Sequence, residues 1–327
     1  MPNNITLVIA GDVDADSALA SVKEAFKNFK KKREPHAKRA VEPEQKELKT
    51  DVLGMDVKEA RLGMAFHIPE VGDTDTFALD VLQIVLAGGE TSRLVKRIKI
   101  DEQLVYGITA YPMSLKDPGL FFMTATLETK NIDATIAATI EEMERLRRHG
   151  PKFDELERAK FNIESDFVYS RETMGGIASK LGYYETLQGD PIYEKQYVEN
   201  IRKVSAEDIQ RVVGRYFTQQ NMTLAALVPT GDKGAVTTDR LAKTVATASG
   251  AAKTMFASGK ETGEKTTKVV LENGITLIVK EVHANPTVAF YAVFPGGLRF
   301  EESGKNGIGN FTASMLARGT SKRTREE

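Results

Sequence analysis

Four histidines, His36, His67, His149 and His283, are the side chains of this sequence best suited to hold a metal or move a proton near neutral pH. No two have the spacing of a metal-ligand pair, and each reads as a structural or surface residue. Cysteine is absent, which removes disulfides, thiolate metal sites and cysteine nucleophiles together. Ser303-Gly304-Lys305-Asn306 has the outline of a phosphate loop, but it lacks the earlier glycine and the hydroxyl residue after the lysine. With 45 Lys+Arg against 46 Asp+Glu the net charge is −1, so there is no basic footprint for nucleic acid or an acidic membrane. The basic run Lys30 to Arg33 reads as solvated charge at the end of a helix. No apolar run approaches the roughly 18–20 residues of a membrane span, and the N-terminus carries no signal-peptide pattern.

Behind this sparse chemistry stands a clear α/β alternation over 327 residues, a length that predicts about two domains. Ile5–Ala10 reads as a buried strand, followed by an amphipathic helix through Leu19, Val22, Phe26 and Phe29. Arg61–Ile68 predicts a strand, Phe77–Leu86 an apolar helix closed by Gly88-Gly89, and Ser92–Ile100 another helix. Val105–Tyr111 and Leu120–Leu127 form a strand pair. Helices follow through Ile132, Ile136, Ile140, Met143 and Leu146, and through Phe153, Leu156, Ile163 and Phe167. Ser205-Ala206-Glu207-Asp208 carries a capping-box-like start, with Ile209, Val212, Val213 and Phe217 on the buried face. Met222–Val228 closes this unit. A new one opens with Lys268–Leu271, an Asn273-Gly274 hairpin turn, Ile275–Val279 and Val288–Phe294.

The pattern repeats. Asn3-Asn4-Ile5-Thr6-Leu7 returns as Gln220-Asn221-Met222-Thr223-Leu224. The strand, loop, helix and glycine run from Arg61 to Gly89 returns from Val288 to Gly319-Thr320. The expected organisation has residues 1–33 as the terminal strand and helix of a preceding repeat, 34–50 as a linker and 51–230 as a complete domain. Residues 231–266, rich in Gly, Ala, Ser, Thr and Lys, read as a flexible linker, and 267–327 as the start of a further repeat. Both ends then cut through repeats, as in a piece of a longer protein.

One segment carries a specific resemblance. Gly307-Ile308-Gly309-Asn310-Phe311-Thr312-Ala313-Ser314-Met315-Leu316-Ala317-Arg318-Gly319-Thr320 resembles the zinc-binding segment of the pitrilysin/insulinase family of metallopeptidases, which includes the mitochondrial processing peptidases. There a His-x-x-Glu-His signature sits on a helix. The frame matches through Gly307, Phe311, Met315, Gly319 and Thr320, and through the flanking Asn273-Gly274-Ile275, Phe294-Pro295-Gly296-Gly297 and Glu301-Glu302. The chemistry does not. Asn310 and Ser314 stand where the family has its two histidines, and Ala313 where it has the glutamate base. An amide, a hydroxyl and a methyl cannot replace two imidazoles and a base, so this segment is expected to be a metal-free pseudo-active site.

The central unit is similar to the family's non-catalytic domain. Gly88-Gly89-Glu90-Thr91-Ser92-Arg93-Leu94 resembles its Gly-rich Ser-Arg-Leu segment, and Lys99 through Tyr106 its arginine-to-tyrosine region. The resemblance implies that Lys99 and Tyr106 take the places of two residues that hydrogen-bond the bound peptide, with lysine losing the arginine's planar fork. It also implies an α+β fold, a layered antiparallel or mixed sheet with helices packed on it. The function implied is that of the non-catalytic part of a zinc endopeptidase, lining a peptide-binding chamber and inactive by itself. The zinc would belong to an upstream domain. Its partners would be peptide substrates and homologous peptidase domains, in cis or in a partner subunit. The alternative is an inactive scaffold or regulatory subunit, as this fold supplies to respiratory-complex cores. The cellular compartment stays open, since any export signal would lie upstream.

Overall fold

A computed structural model of the chain describes residues 4–30, 42–257, 266–280, 304–305 and 307–316. They fall into two units, Met1–Glu261 and Thr262–Glu327. The first is built on a five-stranded sheet of β1 (Lys49–Met55), β2 (Ala60–Ile68), β3 (Val105–Met113), β4 (Gly119–Leu127) and β5 (Met222–Pro229). The spatial order is β1-β5-β2-β4-β3. β1 runs parallel to β5, and every other neighbouring pair is antiparallel.

Strict alternation in β2 and β4 sets the two faces of the sheet. Leu62, Met64 and Phe66 are buried and sit opposite Ala125, Met123 and Phe121, also buried. On the other flank Leu62, Met64 and Phe66 pair with Ala226, Leu224 and Met222 of β5, again all buried. Every register position that meets the core is therefore apolar, and a one-residue slip would turn the whole set to solvent. Phe66 and Phe121 both close on the ring of Phe217, at 4.8 and 4.9 Å between centroids. Each such fully buried side chain contributes roughly 1.5–3 kcal/mol.

Helices α1 (Ala15–Phe26), α2 (Asp75–Ala87), α3 (Ile132–His149), α4 (Phe153–Tyr169), α5 (Met174–Gln188), α6 (Glu194–Lys203), α7 (Ala206–Tyr216) and α8 (Thr238–Ala257) complete this unit. The capping box of α7 forms as its sequence requires. Ser205 Oγ accepts from the Asp208 backbone N–H at 3.1 Å, and Asp208 Oδ2 accepts from the Ser205 N–H at 3.0 Å.

Three expectations change. Ile5–Ala10 forms no strand, and Ile5, Leu7 and Ile9 are exposed. An alternating run becomes a strand only where a sheet edge receives it, and none of the described strands pairs with this one. Residues 34–50 were expected to be linker throughout, but β1 starts at Lys49. Its composition is poor in apolar residues because it is a half-exposed edge strand held by parallel pairing to β5. The linker expected over 231–266 contains α8, a helix of 20 residues. Leu241, Val245, Ala248 and Ala252 recur at helical spacing and are buried. Arg240 and Thr244 bond Asp133 of α3 at 2.6 and 2.8 Å. Alanine and threonine pack closely between helices, so a composition typical of linkers here makes a helix interface.

In the second unit β6 (Thr266–Val270) and β7 (Thr276–Lys280) form an antiparallel hairpin, with Gly274 at φ +85° in its turn. Only glycine takes that conformation without cost. α9 (Ile308–Leu316) follows. The strand expected at Val288–Phe294 lies outside the described residues, while the helix expected after it is α9.

Candidate functional site

The segment expected to carry Lys99 and Tyr106 is a corner between a π-helix, Val95–Asp101, and β3. Leu94, Val95 and Ile98 anchor one side of the π-helix in the core. Its other side is held by arginines. Arg93 donates to both carboxylate oxygens of Glu155, at 3.0 and 2.7 Å, and to the Gly150 carbonyl. Arg97 donates to Glu102, Glu141 and Glu142 at 2.7, 2.7 and 2.9 Å. Burial works against the Arg97 guanidinium, but the hydrogen bonds of its three carboxylate partners outweigh it and raise its pKa.

The chain leaves this corner through Gln103, at φ +51° the one non-glycine residue with positive φ among the described residues. The Leu104 N–H bonds the Ile98 carbonyl at 2.8 Å, and Asn131 Nδ2 donates to the Leu104 carbonyl at 2.9 Å. Pairing of β3 with β4 then skips a residue. Val105 faces Leu127 and Gly107 faces Thr126, so Tyr106 is the extra residue of a β-bulge. A bulge re-aims one side chain while the ladder continues on both sides. Tyr106 is 54% exposed. Its hydroxyl donates to Glu128 Oε1 at 3.4 Å, a long bond, while Lys130 holds the other oxygen of Glu128 at 2.7 Å. Desolvation and the neighbouring Glu128 charge push the phenol above its usual range. Tyr106 is therefore a neutral hydrogen-bond donor throughout the physiological range.

Lys99 lies on the exposed side of the same π-helix turn and makes no ion pair with a described residue. Lys99 and Tyr106 thus sit at the two ends of one short, braced connection, the lysine exposed and the phenol held only by its long bond to Glu128. The arrangement offers a cation and a phenolic donor. It holds no nucleophile with an adjacent base.

The open face of the sheet continues from Tyr106. Thr109 and Thr124 share a hydrogen bond at 2.8 Å, and the rings of Tyr111 and Phe122 stack at 5.4 Å. His67 stands on the same face, its Nδ1 3.2 Å from Asn221 Oδ1 and its Nε2 3.4 Å from Glu42. His149 packs its ring against Phe256, while His36 and His283 lie outside the described residues.

Asn310, Ala313 and Ser314 all fall on α9 in the second unit, at i, i+3 and i+4, a spacing that shares one helix face. Their residue types do not suit zinc, since there is no imidazole and no carboxylate among them. Among the described residues no group of three or more His, Asp or Glu is placed to hold a metal.

Sequence reasoning missed the arginine network that fixes the corner. The signal was present in Arg93 and Arg97, four apart, with Glu141 and Glu142 adjacent on α3. Only the fold brings these segments together.

A family model described as the Peptidase M16 inactive domain matches residues 1–163. The uncharacterized zinc protease YmxG of Bacillus subtilis is 27% identical over 238 residues, which cover 71% of this chain and 55% of YmxG. The chain spans about half the length of the curated relatives it matches. Among solved structures, a protease from Helicobacter pylori superposes with a TM-score of 0.60 at 23% identity, over 67% of this chain and 54% of that one. A chain of complex III2 from Candida albicans gives 0.57 at 16% identity, over 72% and 57%. These two likenesses show a shared fold.

Proposed function

Because the chain belongs, over residues 1–163, to the Peptidase M16 inactive-domain family, we propose that it is the non-catalytic part of a zinc-dependent endopeptidase. In this reading the sheet face around Tyr106, Tyr111 and Phe122 walls a chamber that receives unfolded peptide. Proteolysis belongs to a zinc domain ahead of residue 1. The observation that supports a peptide-facing role is Tyr106, which a bulge turns out of the ladder and whose phenol stays protonated, seven residues after the exposed Lys99. Backbone groups of an extended peptide need such donors once water is excluded.

Lys99 and Tyr106 are read as an altered substrate clamp, and the Asn310/Ala313/Ser314 segment of the next repeat as a dead zinc motif. The full-length protein is then expected to bind one zinc per chain and to cleave a quenched unstructured peptide. The 327-residue chain alone should do neither. Lys99→Ala with Tyr106→Ala in the full-length protein should change kcat/KM by less than about twofold. A loss above about tenfold would show instead that this pair serves the working site.

The second reading is an inactive scaffold or a regulatory subunit. The fold shared with a chain of complex III2 is compatible with it. Absence of both zinc and cleavage in the full-length protein would favour this reading. So would a coding sequence ahead of residue 1 that lacks His-x-x-Glu-His.

A further inference from the structure

A cavity of about 400 Å³ lies between α2, α5, α6 and the end of β3, within the first unit and apart from the Tyr106 corner. Its size falls in the range of small-ligand sites. Three polar groups in its lining are incompletely used. Asp80 accepts one hydrogen bond, from the Tyr197 hydroxyl at 2.8 Å, and pairs with no cation among the described residues. Lys180 makes no ion pair with a described residue, Glu194 and Asp166 acting on it only from beyond ion-pair distance, and its ammonium rests over the Phe167 ring at 4.5 Å. Gln188 Nε2 is buried without a hydrogen-bond partner. Its amide lies against Gly72, where an added Cβ would meet Gln188 Oε1 at 2.9 Å. Between these groups the walls are aromatic, with Tyr184 and Tyr193 at 5.7 Å between centroids and Phe77 and Tyr197 at 5.8 Å.

Charges buried without partners are costly, and here two of opposite sign line one cavity without neutralising each other. A simple cation would be drawn to Asp80 but would meet Lys180. A simple anion would be drawn to Lys180 but would meet Asp80, and a neutral apolar molecule would leave both charges stranded. We infer that the cavity binds a small zwitterion with an aromatic side chain, such as a free amino acid. Its ammonium lies against Asp80, its carboxylate against Lys180 and the Gln188 amide, and its side chain between the tyrosine rings. Burial moves both ionisable groups toward their neutral forms, Asp80 up to about 6 and Lys180 below its usual range. At Asp80 only the Tyr197 hydrogen bond opposes burial, and at Lys180 only the more distant charges of Glu194 and Asp166 do. This inference does not depend on the chamber reading.

The test is calorimetric titration of the whole chain at about pH 7.5, with L-phenylalanine, N-acetyl-L-phenylalanine and L-phenylalaninamide as probes. L-Phenylalanine should bind, and removing either charge should weaken binding by at least about tenfold. Asp80→Asn should abolish the preference for the free amine, and Lys180→Gln the preference for the free carboxylate. Circular dichroism should report both variants folded. Lys180→Gln changes a half-buried side chain outside the core cluster, so it serves should Asp80→Asn alter folding. Absence of L-phenylalanine binding up to about 10 mM would overturn the proposal. Equal binding of the amide would make this a cation site, and equal binding of the N-acetyl compound an anion site. Either result would also overturn it.

Discussion

Asp75 and Asp80 stand five residues apart on α2, and each accepts a tyrosine hydroxyl, from Tyr216 at 2.7 Å and from Tyr197 at 2.8 Å. Burial pushes both carboxyls up. In Asp75, hydrogen bonds from Arg211 and Tyr216 and the charges of Arg211 and Arg215 outweigh burial and hold the group below its usual range. In Asp80 only the Tyr197 bond opposes burial, and the group is pushed up to about 6. The same residue type on the same helix is thus a closed structural contact at one end and an open charge at the other. What separates them is α7, which brings two arginines to Asp75, while α6 brings Asp80 only a phenol. A buried carboxylate with its cations supplied inside the fold locks two helices together. One without them has capacity for a cation from outside.

The strongest way to break the contrast is to turn Asp75 into a second Asp80. Arg211→Ala with Arg215→Ala leaves a buried carboxylate holding only Tyr216. This should destabilise the chain by about 3 kcal/mol at neutral pH. Wild-type Asp75 has a lowered pKa, so its contribution is present above the ordinary carboxylate range and fades as pH falls through the folded value. In the double variant the folded pKa should lie above the unfolded one. Its deficit against wild type should therefore shrink as the pH drops toward 4, in urea melts across that range. A deficit that stays constant with pH would mean the arginines act by packing alone.

The converse change removes the charge at Asp80. A folded pKa of about 6 against an ordinary 3.8 means the native state favours the protonated acid. Stability from this group is complete below the unfolded pKa and is lost as pH rises through about 6. Asp80→Asn should therefore stabilise the ligand-free chain by about 2–3 kcal/mol above pH 7 and by little near pH 4. No gain at neutral pH would show that Asp80 already has a counter-charge in solution.

This contrast was hidden in the sequence for a physical reason. The sheet faces, the α3 stripe, the α4 stripe apart from the exposed Phe153, and the α7 capping box were legible because alternation, 3.6-residue periodicity and local side-chain-to-backbone bonds are properties of neighbouring residues. The reading of Asn310, Ala313 and Ser314 as a degenerate zinc motif rests on the sequence pattern alone. The meeting of Asp75 with Arg211 and of Asp80 with Tyr197 depends on partners far apart in the chain. So does the Arg97 network that braces Lys99 and Tyr106. The helix α8 escaped notice because its buried side includes alanines, whose small side chains give a weak hydrophobic signal. The bulge at Tyr106 lies in a run that reads as an ordinary strand, and only the register with β4 exposes the extra residue.

The finest division lies between the two tyrosines. Both hydroxyls donate to a buried carboxylate, but a hydrogen bond to a charged acceptor is worth more where no other donor shares the charge. Tyr216→Phe leaves Asp75 with two arginines and should cost about 1 kcal/mol, nearly unchanged between pH 6 and 8. Tyr197→Phe leaves the ionised Asp80 bare and should cost about 2 kcal/mol at pH 8. Near pH 5 Asp80 is protonated in the folded state and only a neutral bond is lost, so the cost should fall to about 1 kcal/mol. The two variants should therefore converge on acidification in the same urea titration. Parallel lines would place a further donor or cation at Asp80, and the distinction between the closed and the open aspartate would fall with them.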